Sequence, residues 1–101
     1  MKLVTKELQA KFPNLYANEE KQASKVKVIA KFFTPWGRWT WYPTEFDGDD
    51  TFFGFVRGQD NELGYFSLSE LEGVTGPGGL RIERDRYFAN HTLADVMERQ
   101  L

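Results

Sequence analysis

Apolar residues recur at helical spacings near both ends of the chain and alternate with polar ones through its middle, a division that predicts a sheet closed by short helices. Leu3, Leu8 and Phe12 are spaced by five and four, Thr5 is placed to cap and Glu7 falls in the first turn, near the positive end of the helix dipole. This predicts an amphipathic helix from Thr5 to Phe12, ended by Pro13. Asn14 to Ser24 is polar without a period and reads as a loop. From Lys25 to Phe33, Val26, Val28, Ala30 and Phe32 alternate with Lys25, Lys27 and Lys31, the pattern of a half-buried strand. Thr34-Pro35-Trp36-Gly37 suits a type I turn. A second strand follows from Trp39 to Phe46, with Pro43 placing its end at an edge or a bulge. Asp47-Gly48, lengthened by Asp49 and Asp50, is a hairpin signal. Thr51 to Arg57 then forms a third strand and Glu62 to Leu68 a fourth, separated by a turn at Gly58 to Asn61.

Ser67 or Ser69 can cap a short helix from Leu68 to Glu72, since each has an acid three residues on, Glu70 or Glu72. Gly73 ends it. Gly76-Pro77-Gly78-Gly79 is loop, and Leu80 to Phe88 alternates weakly enough to be one more edge strand. Thr92 caps a last helix, with Asp95 in the reciprocal position and Leu93, Val96 and Met97 on one face. The expected fold is a single α+β domain over residues 1–101, an antiparallel sheet of three to five strands with short N- and C-terminal helices. A chain of 101 residues is long enough for one core.

Composition narrows the chemistry. The chain has no cysteine, which excludes disulfides and thiol chemistry and fits a reducing compartment. MKLVTKELQAKF breaks its apolar residues with lysines, so no signal peptide is expected, and no stretch nears the roughly 20 apolar residues of a membrane span. These features point to a cytoplasmic protein without a membrane partner. The net charge of −2 hides a gradient: residues 1–31 hold seven lysines against three glutamates, while the rest holds six arginines against twelve acids. Between Glu45 and Glu72, eight acids face Arg57 alone. A domain-wide basic footprint is missing, which disfavours direct nucleic-acid binding.

The strands carry more aromatic residues than one covered face requires. Alternation puts Phe52 and Val56 on one side of the third strand and Phe53 and Phe55 on the other, with Trp39 and Trp41 opposed to Tyr42 and Phe46 on the second. Either helices and loops cover both faces, or one face is left for binding. The candidate binding residues are Trp36, Arg38, Trp39, Trp41, Glu45, Asp47, Asp49, Asp50, Phe53, Phe55, Glu62, Tyr65, Glu83, Arg84 and Asp85. An arginine among tryptophans can stack bases or cations, although Arg38 can equally lie over a Trp ring folded onto the sheet. Asp47-Gly48-Asp49-Asp50 lacks the ligand spacing of a calcium loop and reads as a solvated tip, with no metal. His91 stands alone, and the glycines from Gly73 to Gly79 match no phosphate loop. Glu45, Glu62, Ser67, Glu83, Arg84 and Asp85 form the best acid–base set, yet Glu83-Arg84-Asp85-Arg86 reads as surface charge. No catalytic residue and no cofactor is assigned. The third strand, if exposed, could pair with itself across a two-fold axis, which leaves monomer and homodimer open.

Three stretches in order carry a family resemblance: Ala30-Lys31-Phe32-Phe33-Thr34-Pro35 leading into Thr40-Trp41-Tyr42-Pro43-Thr44-Glu45; Glu62 to Glu72; and Gly79 to Asp85 before Phe88. This order resembles a family of small bacterial proteins known only as a domain of unknown function, common on plasmids, phages and integrative elements. The resemblance runs from the first helix to about Phe88 and is weakest over the last helix. It carries no catalytic or binding residue across. What it implies is a setting, since mobile elements encode many small proteins that bind and disable host restriction, CRISPR or other defences. The expected function is therefore binding of a host protein, of the anti-CRISPR or anti-restriction type. The alternatives are a small-molecule or nucleotide pocket, with Arg38, Arg84 or Arg86 on phosphate, and a single-stranded nucleic-acid binder.

Overall fold

Tight hairpins order the middle of the chain into three antiparallel strands of seven residues each: β2 (Thr40–Phe46), β3 (Thr51–Arg57) and β4 (Asn61–Ser67). In the computed structural model, which describes residues 2–101, β1 (Phe32–Phe33) pairs with β2, and β5 (Glu83–Arg84) pairs with β1. The result is a five-stranded antiparallel sheet in the order β4-β3-β2-β1-β5. Three short helices accompany it: α1 (Lys6–Gln9), α2 (Leu68–Gly73) and α3 (Leu93–Glu98). The β2–β3 turn forms because Asp47 Oδ1 accepts the N–H groups of Asp49, Asp50 and Thr51 at 2.8, 2.9 and 3.1 Å. Gly48 supplies the left-handed φ of +83° that this tip needs.

Proline at position 43 cannot donate to a ladder, and β2 answers with a bulge. The register with β3 shifts between Pro43 and Glu45, leaving Thr44 as the extra residue, its hydroxyl donating to Phe53 O at 3.2 Å. Simple alternation therefore misassigns Phe46. Instead of sharing the Tyr42 face it joins Phe52, ring centroids 4.4 Å apart and stacked. Both faces are covered. On one, Leu3, Val4, Ala30, Phe32, Phe46, Phe52, Leu71 and Ile82 form a buried cluster. On the other, Val26, Val28, Tyr42, Phe55, Leu93 and Val96 do the same. Each buried large side chain contributes roughly 1.5–3 kcal/mol, so the two layers together dominate stability.

Three other expectations change. The Lys25–Phe33 strand keeps its alternating burial but shrinks to Phe32–Phe33, after a turn of 3₁₀ helix at Ala23–Lys25. Residues 26–29 are extended and bond elsewhere: Val28 N to His91 O, Leu93 N to Val26 O, and Ile29 N to Pro43 O. Pro43 has no N–H to return, so the β1–β2 ladder starts only at Phe32 opposite Trp41. Helix α1, capped by Thr5 as expected, stops at Gln9. Looser bonds from Lys11 and Phe12 then bring the Phe12 ring within 5.6 Å of both Phe46 and Phe52. Finally, the third strand is interior, and the long exposed edge belongs to the fourth. The remaining caps agree with the sequence: Ser67 on α2, and a Thr92–Asp95 capping box on α3.

Two glycines facing each other across β3 and β4 separate steric need from tolerance. A Cβ at Gly54 would overlap the Tyr42 carbonyl and the Pro43 backbone at the bulge, whereas one at Gly64 would meet nothing within 4 Å. Gly54→Ala is expected to lose about 1–3 kcal/mol in urea denaturation, and Gly64→Ala to stay within about 0.5 kcal/mol of the parent.

Candidate functional site

The bulge turns Glu45 to the same face as Phe53 and Tyr65, its neighbours in register across β3 and β4. There the Glu45 carboxylate, only 4% exposed, accepts the backbone N–H of Tyr16 at 2.8 Å and of Asn18 at 3.1 Å. Those bonds clamp residues 14–22 over the sheet. Tyr16 sits at φ +70°, a left-handed conformation that a bulky residue adopts only when its surroundings hold it. Its ring stays 62% exposed and meets Tyr65, itself 56% exposed. The Tyr16 hydroxyl, placed to accept from Tyr65, raises the Tyr65 phenol above its ordinary pKa, with burial and the Glu45 and Glu19 charges adding. Between loop and sheet lies an open groove of about 320 Å³, lined by Tyr16, Glu19, Lys21, Phe53, Leu63 and Tyr65, with Glu45 in its wall. Phe53 meets Tyr65 edge-on at 5.1 Å.

Alongside the groove runs the free side of β4. It pairs only with β3, it carries no proline, lysine or bulge, and Asn61, Glu62, Leu63 and Tyr65 are exposed along it. An edge of this kind offers unpaired backbone groups to another chain.

The other candidate residues are spread over the molecule. Trp36 and Trp41 are half-buried against the first core, while Trp39 is exposed, stacked on Trp41 at 5.8 Å and seated against Gly58. Phe55 is buried in the second core beneath the Arg57 guanidinium, and so is not a surface residue. Arg38 shares a depression of about 470 Å³ with Lys31, Thr40 and Arg57. Arg84 and Arg86 line a different one of about 300 Å³, beside Glu7 and Asp85. The acid–base set does not assemble, because Glu62 lies on β4 and Glu83, Arg84 and Asp85 at the opposite edge of the sheet. Arg84 Nη1 donates to Leu3 O at 2.6 Å, and Asp85 accepts from Tyr87 N at 2.9 Å. Asp47, though exposed, ties its own turn, and Asp50 accepts from Ser67 Oγ at 2.6 Å and Ser69 N at 2.8 Å; Asp49 and Glu62 are the other exposed acids of the predicted set. No three His, Asp or Glu side chains are grouped to hold a metal among the described residues. No helix among them is long and apolar enough to cross a membrane. Tyr16, Glu19, Lys21 and Leu63 were not anticipated as site residues. A lone aromatic in the polar 14–24 stretch was the only signal for Tyr16.

The model of a protein family described as a protein of unknown function, DUF2958, matches residues 3–99. The match includes the last helix, where the resemblance had been weakest. No curated protein and no solved structure matches the chain.

Two carboxylates yield predictions. Glu45→Gln presents a donor to one of the loop N–H groups; a loss of about 1–3 kcal/mol is expected. Hydrogen exchange should accelerate selectively at the Tyr16 and Asn18 amides. For Asp50, the Ser67 hydroxyl first and the Ser69 N–H next hold the carboxyl below its ordinary pKa. A depressed folded pKa contributes stability above the unfolded value and loses it as pH falls through the folded one. Asp50→Asn should therefore lower stability at neutral pH and flatten its decline below about pH 4, near the carboxylate reference value, in thermal melts run against pH.

Proposed function

We propose that this chain, which belongs to the DUF2958 family, is a small protein-binding module that engages an extended, basic segment of a host protein along β4 and the groove beside it. One observation carries the reading: a seven-residue edge strand left unpaired on its outer side, directly beside an aromatic and acidic groove. Strand addition at such an edge draws affinity from main-chain hydrogen bonds and selectivity from neighbouring side-chain pockets. Charge complementarity sets the partner's sign, since Glu19, Glu45, Asp60 and Glu62 lie in or near this surface while Lys21 is the one cation lining the groove. At the finer level we read the module as a protein of a mobile element that disables a host defence of the CRISPR or restriction type. The family resemblance supports that setting.

A second reading, a pocket for a small anion such as a nucleotide, is favoured by Lys31, Arg38 and Arg57 sharing one depression. A nucleotide panel in thermal-shift assays separates the two, because a nucleotide-dependent rise in Tm lost in Arg38→Ala would favour the pocket.

The module reading is tested by affinity capture from host lysate followed by binding measurements with the purified partner. Wild type and Trp39→Ala should retain it, and the double variant Leu63→Lys, Tyr65→Lys should lose at least tenfold in Kd. Equal affinity of all three overturns the reading. So does a homodimer in light scattering that the double variant dissociates, since a second copy would then occupy the edge.

A further inference from the structure

Within that surface, the geometry points to a specific occupant for the groove: the guanidinium of an arginine side chain of the partner. The inference rests on the protein-binding reading and adds the chemistry of its anchor. Three aromatic rings line the groove, those of Tyr16, Tyr65 and Phe53, the last edge-on to Tyr65. Ring faces carry the negative side of the aromatic quadrupole and attract cations. The wall behind them holds the Glu45 carboxylate, each of whose oxygens accepts one bond from the loop, Oε1 from Tyr16 N and Oε2 from Asn18 N. Each carboxylate oxygen has a second lone pair, so this fastening leaves acceptor capacity beside the rings. Glu19 adds a second carboxylate at the groove.

An anionic ligand would meet both acids at close range, and a neutral apolar one would leave the carboxylates without a counter-charge. A cation satisfies both features. Guanidinium suits the site better than ammonium, being planar, weakly hydrated and able to stack on rings while donating in their plane. Lys21 is the chain's own competitor. It lines the same groove, but among the described residues it forms no ion pair with either groove carboxylate.

The test uses the full chain and two probes of nearly equal size, N-acetyl-arginine amide and its neutral isostere N-acetyl-citrulline amide, in NMR titrations. Arginine amide should shift the Tyr16, Asn18 and Tyr65 resonances saturably, with citrulline amide binding at least tenfold more weakly. Lys21→Gln should tighten arginine binding two- to fivefold, and Tyr65→Leu should weaken it at least fivefold while the remaining amide spectrum stays native. Equal binding of the two probes, weaker binding by Lys21→Gln, or saturation without shifts at the groove would each overturn the assignment, as would no binding of arginine amide at all. The outcomes separate this inference from the module reading. Partner binding that survives Tyr65→Leu but not the edge double variant removes the arginine niche alone, whereas arginine binding with no effect of the edge variants on partner affinity removes the module alone.

Discussion

Everything distinctive about this domain depends on how β2 accommodates Pro43. A proline in an interior strand removes a ladder donor, and the chain absorbs the defect by inserting Thr44 as a bulge opposite Gly54. The extra residue changes which side chains face which way. Phe46 turns into the first core, and Glu45 turns towards the opposite face, where a carboxylate would otherwise be buried without partners. Burying a charge is costly unless it is hydrogen-bonded. The Tyr16 and Asn18 N–H groups supply those bonds, and in doing so they fasten a loop built only of turns. Bulge, buried acid, ordered loop and groove form one causal chain.

The aromatic surplus of the strands has the same logic. Two buried clusters, one on each face, absorb most of it, so the sheet is a middle layer with no bare side. Cover runs out towards β4. The first face is closed there by Phe66, packed on Phe52 at 5.3 Å, but on the second face α3 and residues 26–28 reach Tyr42 and Phe55 and leave Leu63 and Tyr65 exposed. The exposed apolar surface thus coincides with the unpaired backbone edge. Monomeric proteins usually blunt such edges with lysine, proline or a bulge, and none of these devices is present in β4.

How much of this was legible in the sequence follows from which rules are local. Caps at Thr5, Ser67 and Thr92, the Asp47-Gly48 tip and the β2–β3–β4 meander rest on residues a few positions apart, and each is present. The proline was a legible warning of a bulge. Its consequence for Phe46 was not, because alternation is lost at an insertion whose position only pairing defines. The extent of β1 failed for a related reason: residues 26–29 bury the right side chains but find their hydrogen bonds at residues 91–93 and at Pro43, partners remote in sequence. The groove combines both difficulties. Tyr16 and Glu45 are 29 positions apart, and no periodicity links a loop amide to a strand carboxylate.

The acids show why a charge count along the chain is a poor guide to a charged surface. Asp47, Asp50 and Asp95 accept bonds from turns and helix starts, each with its pKa lowered chiefly by backbone or hydroxyl donors rather than by a cation. Those acids are fasteners, and their charge is already answered by N–H and O–H dipoles. The field available to a partner comes instead from acids without such answers, together with Glu45, whose donors come from one side only. Glu19 and Glu45 thus add negative charge at the groove and Glu62 at the β4 edge, besides that of Asp47 and Asp49 at the hairpin tip. Under the proposed reading a ligand is selected by its cation over aromatic rings at one end of the sheet, while Asp47 and Asp50 tie the β2–β3 turn and its junction with α2.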